Sequence, residues 1–167
     1  MIKSFNGKTP KIADSAFVAD NATVIGDVTI GENCSIWYGA VIRGDDGPVI
    51  IGDNTNIQDN SVVHTDEGIV IGRGVTVGHN AIVHCKKIGD NVMIGMGSIA
   101  LTGSEIGDNS ILGAGALLTQ NKVIPQNSVA LGSPAKVFRE VGEADLSNTM
   151  RNADVYVQLG REHKSQI

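Results

Sequence analysis

Apolar residues recur along this chain at every sixth position. The series runs Ile12, Val18, Val24, Ile30, Ile36, Ile42, resumes at Ile51, Ile57, Val63 and again at Ile71, Val77, Val83. It then continues through Ile88, Ile94, Ala100, Ile106, Leu112, Leu118, Ile124 and Ala130. All twenty are aliphatic and eighteen are Ile, Val or Leu, which is too regular for a chance register. Glycine often follows, as at Gly31, Gly52, Gly72 and Gly89, and a small residue often sits four places on, as at Ala22, Cys34, Ala40, Ser61, Ala81, Ser98, Ser110 and Ala116. A period of six fits neither an amphipathic helix nor plain strand alternation. It predicts a short strand and a turn per repeat, with one large and one small side chain turned inward. Three such faces close a triangular coil, and coils stack through parallel strands about 4.8 Å apart, each burying its apolar edges against its neighbours.

From roughly residue 10 to 135 this pattern resembles the hexapeptide-repeat proteins. The resemblance implies an all-β solenoid, a left-handed parallel β-helix, against the usual right-handed rule for parallel crossovers. Gly132-Ser133-Pro134-Ala135-Lys136 resembles the exit motif of such helices. From about Glu143 the period changes. Leu146, Met150, Ala153, Val157 and Gly160 recur at three- and four-residue steps, which predicts a C-terminal α-helix with that apolar face. The expected organisation is a β-helix domain over 1–138 and a helical appendage over 139–167.

Three irregularities interrupt the period. Ile42 to Ile51 spans nine residues, Val63 to Ile71 eight, and Val83 to Ile88 five. Counting faces in threes from Ile12, every break follows the third face, so all three fall at one corner in successive coils. Rigid scaffolds carry function on such loops. The residue after each third-face aliphatic is Arg43, His64 and His84 in turn, which predicts a column with His64 and His84 about 5 Å apart along the stack. Two imidazoles at that spacing can share one ion at about 2.0–2.1 Å each. His79 falls at the second corner instead, and a face spans roughly 15 Å. It can complete the site only from another chain. Cyclic symmetry of three subunits would bring corner two of one chain to corner three of the next, giving three identical sites at heterologous interfaces. Alone, His79 reads as an ordinary polar turn residue. His163, on the tail helix, reads as solvated.

Composition narrows the function classes. An apolar content of 41% supports a core, while 4% aromatics and 21 glycines suit a thin aliphatic one with many tight turns. A net charge of −5 without a basic run argues against nucleic acid as a partner. No apolar stretch reaches membrane-spanning length, and the first residues lack the apolar core of a signal peptide. Cys34 and Cys85 make no disulfide framework and lack metal-ligand spacing, so both read as structural and the cytoplasm is the expected compartment.

Arg43-Gly44-Asp45-Asp46, Asn56-Ile57-Gln58-Asp59-Asn60-Ser61-Val62-Val63-His64-Thr65 and Gly78-His79-Asn80-Ala81-Ile82-Val83-His84 together resemble the gamma-class carbonic anhydrases and their relatives. The resemblance implies Zn2+, or Fe2+ or Co2+, held by His64, His79 and His84 at the interface of a homotrimer. It implies an intersubunit ion pair of Arg43 with Asp45, and Gln58 and Asn56 as catalytic residues beside the metal-bound solvent. Three neutral imidazoles leave such an ion its charge and an open position. Bound water then ionises near pH 7, the value known for carbonic anhydrase zinc, and attacks CO2 to give bicarbonate. Asp46, Glu67 and Tyr156 are the candidates to carry the proton away. A long acidic loop found in some family members is missing, since His64 and His79 are only fifteen residues apart. Two other readings stand beside this one. A CoA-dependent acyltransferase would use a histidine as general base without a metal, and a non-catalytic trimeric scaffold would keep the metal alone.

Overall fold

The computed structural model describes residues 1–166. The chain winds as a left-handed parallel β-helix of about seven coils, finished by one helix. The six-residue series is the strand register itself. On face one Ile30, Ile51, Ile71, Ile88, Ile106 and Ile124 stack in line. On face two the stack is Ile36, Ile57, Val77, Ile94, Leu112 and Ala130. On face three it is Val24, Ile42, Val63, Val83, Ala100 and Leu118. From Val24 onward every member of the series is 2% exposed or less, so the series is the core. β-Branched side chains dominate it because they pack well on a pleated surface.

The corners differ in how they turn. At corner one Asn33, Asn54, Asn91, Asn109 and Asn127 hold φ of 53–58°, a left-handed turn that Asn tolerates. Their amides ladder between coils, as from Asn109 to Asn127 at 3.1 Å. At corner three the strands Thr23–Ile30 and Val41–Ile51 run straight round the bend and join faces three and one into a single sheet. The loops that break the period bulge there.

After Leu131 the chain reverses, and Lys136–Glu140 returns antiparallel to Ser128–Leu131, across the boundary expected at 138. The helix Glu143–Lys164 then runs back over face two. Its start is pinned by Asp145, which accepts from the Gly142 N–H at 2.8 Å and from the Arg139 guanidinium. The docked face corrects the stripe expected from sequence. Thr149, Ala153 and Gly160 are buried, with Tyr156 and Leu159 packed on the core, whereas Met150 is 47% exposed. Close approach decides this. A Cβ on Gly160 would lie 3.1 Å from Ser35 Cβ, so any larger residue would push the helix or Ser35 back by a few tenths of an ångström. His163 is also corrected. It is not simply solvated: its ring lies 5.0 Å from Trp37 and 5.5 Å from Phe17, and Nδ1 meets the Tyr38 hydroxyl at 3.0 Å.

Candidate metal centre

Corner three stacks Arg43 directly beside His64, and His84 follows one coil on. The two imidazoles are 5.1 Å apart by ring centre, with His64 Nδ1 and His84 Nε2 3.1 Å apart. Two tetrahedral ligands of one ion, each about 2.0–2.1 Å away, lie about 3.3 Å from each other. The pair therefore has the spacing that one shared ion requires. Their remaining nitrogens are held: His64 Nε2 by Asp45 Oδ1 at 3.2 Å, His84 Nδ1 by Thr102 Oγ1 at 3.1 Å. Such outer partners fix tautomer and ring orientation in metal-binding histidines.

The surroundings are acidic. Asp46 Oδ2 lies 3.7 Å from His64 Nε2, and Asp66 Oδ1 lies 3.6 Å from His84 Nε2. Glu67 lines the same bend with His84 and Thr102. Arg43 pairs with Asp45 within the chain. Burial works to raise the Asp45 pKa, but bonds from Arg43, its own backbone N–H and His64 outweigh it and hold the carboxyl below its ordinary range. Four carboxylates against the Arg43 guanidinium and the Lys86 ammonium favour a cation here.

Corner two is built differently. His79 stacks over Asp59 in register, and its Nδ1 lies 2.9 Å from Asp59 Oδ2. That leaves Nε2 as the nitrogen for a ligand, on a side chain 35% exposed. Gln58, His79 and Tyr156 line one groove with apolar Met93, Ile94, Met96 and Ala114. Burial, and then the Asp59 charge, raise the Tyr156 pKa, so its hydroxyl stays protonated at neutral pH. Gln58 and Asn56 are both buried and bonded, Gln58 Nε2 donating to Asn56 Oδ1 at 3.1 Å. The structure thus brings His64 and His84 together and keeps His79 apart. Among the described residues, the groups able to hold one ion are His64 with Asp66 and His84, and His64 with Asp45 and Asp46.

Sequence reasoning missed Asp59, Asp66 and Thr102 as partners. Asp59 was within reach of it, since Asp59 and His79 each follow a second-face aliphatic by two. Both cysteines are free and buried; burial pushes the Cys34 thiol up to about 11 and the Cys85 thiol up to about 12. Cys85 follows His84 but turns into the core, so it is no ligand.

The bacterial transferase hexapeptide family (six repeats) matches residues 9–44 and 86–120, and the hexapeptide repeat of succinyl-transferase matches 48–85. This chain is a hexapeptide-repeat protein. A carbonic anhydrase of Geobacillus kaustophilus is 49% identical over 99% of this chain and 92% of its own length. The mitochondrial gamma carbonic anhydrase 2 of Arabidopsis thaliana is 38% identical over 95% of this chain and 60% of its own. A crystal structure from Bacillus cereus, described as a putative acetyltransferase, superposes with a TM-score of 0.96 at 47% identity, covering 99% of this chain and 98% of that one. Within the hexapeptide-repeat class, the chain belongs to the gamma-carbonic-anhydrase-like family.

Proposed function

We propose that this protein hydrates CO2 to bicarbonate at a metal centre shared between subunits of a homotrimer. His64 and His84 of one chain and His79 of the next would hold the ion. The observation that carries this reading is the wiring of the three imidazoles. Each has one nitrogen beside a neighbour (Asp45, Thr102 or Asp59); the other nitrogens of His64 and His84 face one another at 3.1 Å, and Nε2 of His79 is left for a ligand. That donor set suits Zn2+, and also Fe2+ or Co2+, since imidazole serves all three. When bound, such an ion supplies Lewis-acid activation of water near neutral pH.

The chain's own residues supply the rest. Gln58 spends Nε2 on Asn56, which leaves its carbonyl oxygen as the acceptor it offers the groove it shares with His79. The apolar walls of that groove suit CO2. Asp46 and Glu67 at corner three stand as proton acceptors, and Tyr156 at corner two, held protonated, can only relay a proton through its hydroxyl. Arg43, paired with Asp45 inside the single chain, would re-pair with Asp45 of the next chain to give the interface its register. Trimer formation is supported by face three, whose outward residues Val41, Val62, Ile82, Ile99 and Leu117 form an apolar stripe over successive coils. Ile82 is 41% exposed in the single chain, and a stripe of this length marks an interaction surface. A second copy covers it, because that face joins the two half-sites. No helix among the described residues is long and apolar enough to cross a membrane. Two free buried thiols fit a reducing compartment, and we assign the cytoplasm.

The acyltransferase reading keeps one specific observation, the close match to the Bacillus cereus structure described as a putative acetyltransferase. Bound-metal quantification followed by CO2 hydration with and without chelator separates them. Stoichiometric metal with chelator-sensitive hydration is expected. Absence of metal together with acetyl-CoA turnover overturns the proposal, and metal without hydration leaves the scaffold.

A further inference from the structure

A chain of amides joins the C-terminal helix to Gln58. Asn152 Nδ2 donates to Thr76 Oγ1 at 3.0 Å, Asn56 Nδ2 donates to the same oxygen at 2.9 Å, and Gln58 Nε2 donates to Asn56 Oδ1. Thr76 and Asn56 are 1% exposed and Gln58 is 4% exposed, so water does not compete for these bonds. Asn56 and Thr76 occupy outward positions of face two, which would be solvated if the helix did not lie over them.

The chain has a direction. An amide offers donors on one side and an acceptor on the other. Asn56 turns its nitrogen to Thr76, so its oxygen must take the Gln58 nitrogen, and the Gln58 oxygen is left for the groove. The second acceptor of Asn56 Nδ2, the Val75 carbonyl, is 3.4 Å away and a weak hold. The Val75 carbonyl can only accept and so marks the nitrogen end of Asn56, while the shorter bond to Thr76 Oγ1 holds the amide in that orientation. Thr76 Oγ1 faces both amides in one buried rotamer, and a turn about χ1 would put the methyl or the hydrogen in its place. The bonds from Asn56 and Asn152 decide which branch faces the amide.

We propose that Asn152 is a positioning residue for Gln58, acting through Thr76 and Asn56, and that the helix is thereby part of the site. Its effect on turnover rests on the carbonic anhydrase reading, but its effect on Gln58 does not. The test uses the full-length trimer labelled with [15N]glutamine. Gln58 is one of five glutamines, and its side-chain amide signal is assigned by its loss in Gln58→Ala. Asn152→Ala and Thr76→Val are expected to speed hydrogen exchange at Gln58 Nε2 by about tenfold or more. Thr76→Ser keeps the acceptor, and Asn152→Asp takes the Thr76 hydroxyl proton itself, so both retain slow exchange. In the hydration assay Asn152→Ala lowers kcat about tenfold and leaves KM nearly unchanged. Unaltered Gln58 exchange in folded Asn152→Ala and Thr76→Val proteins overturns the proposal. Accelerated exchange in a protein that hydrates no CO2, wild type included, upholds the positioning role and removes the carbonic anhydrase reading.

Discussion

Corner three and corner two each bear half of the proposed centre, and they are made by opposite means. At corner three the repeat breaks. Inserted loops bring Asp45, Asp46, Asp66 and Glu67 around two stacked imidazoles, and the ligands belong to consecutive coils of one sheet. At corner two the repeat is unbroken. His79 occupies an ordinary turn position, its partner Asp59 is the equivalent turn residue one coil earlier, and the polar side chains beside it are sealed by a helix from the far end of the chain. An irregular loop cluster thus faces a fully regular ladder. The ladder contributes fixed direction, because its residues inherit the rigidity of the coils. The loops contribute negative charge.

The largest expected effect tests whether the two halves are equivalent. His64→Ala, His84→Ala and His79→Ala should each abolish stoichiometric metal and lower hydration at least about 100-fold, with circular dichroism unchanged. Full metal retention in His79→Ala would remove corner two from the centre. Next comes the wiring. Asp59→Ala should weaken metal affinity about 10–100-fold by releasing the His79 ring, measured by chelator competition, and Thr102→Val should act the same way on His84. An affinity insensitive to both shows that the outer partners are incidental. A third variant addresses the surface between the corners. Ile82→Asp places a charge on the face-three stripe and should convert trimer to monomer at micromolar concentration in sedimentation velocity, with metal lost in step. The smallest effect concerns Cys85, adjacent to His84 yet turned inward. Cys85→Ala should leave metal content unchanged. With thiols at about 11 and about 12, native protein at pH 8 should resist thiol reagents until it unfolds.

Much of this was legible in the sequence because the β-helix converts linear spacing into position. A six-residue step is a strand register, so the column Arg43, His64, His84 and the separation of His79 follow from counting. The same count places Asp59 under His79, but an aspartate in a turn has so common a structural role that nothing singled it out. The outward stripe of face three, one residue before each buried aliphatic, was equally countable. The helix face was not. Its docked side depends on what Phe17, Ser35 and Thr76 present, residues far away in the chain, and on the room that Gly160 leaves. Periodicity within the helix put Met150 inward and left His163 in solvent. The contact from Asn152 to Thr76 crosses 76 positions and has no local signature.

The central claim is that each centre takes ligands from two chains, and complementation tests it most directly. A His79→Ala chain and a His64→Ala/His84→Ala chain are each expected to be inactive as homotrimers. Co-expressed in equal amounts and assembling at random, they pair an intact corner two with an intact corner three at one interface of every mixed trimer, roughly a quarter of all interfaces formed. The account predicts recovery of metal and chelator-sensitive CO2 hydration in about that proportion. Mixed trimers with no recovered metal would contradict it.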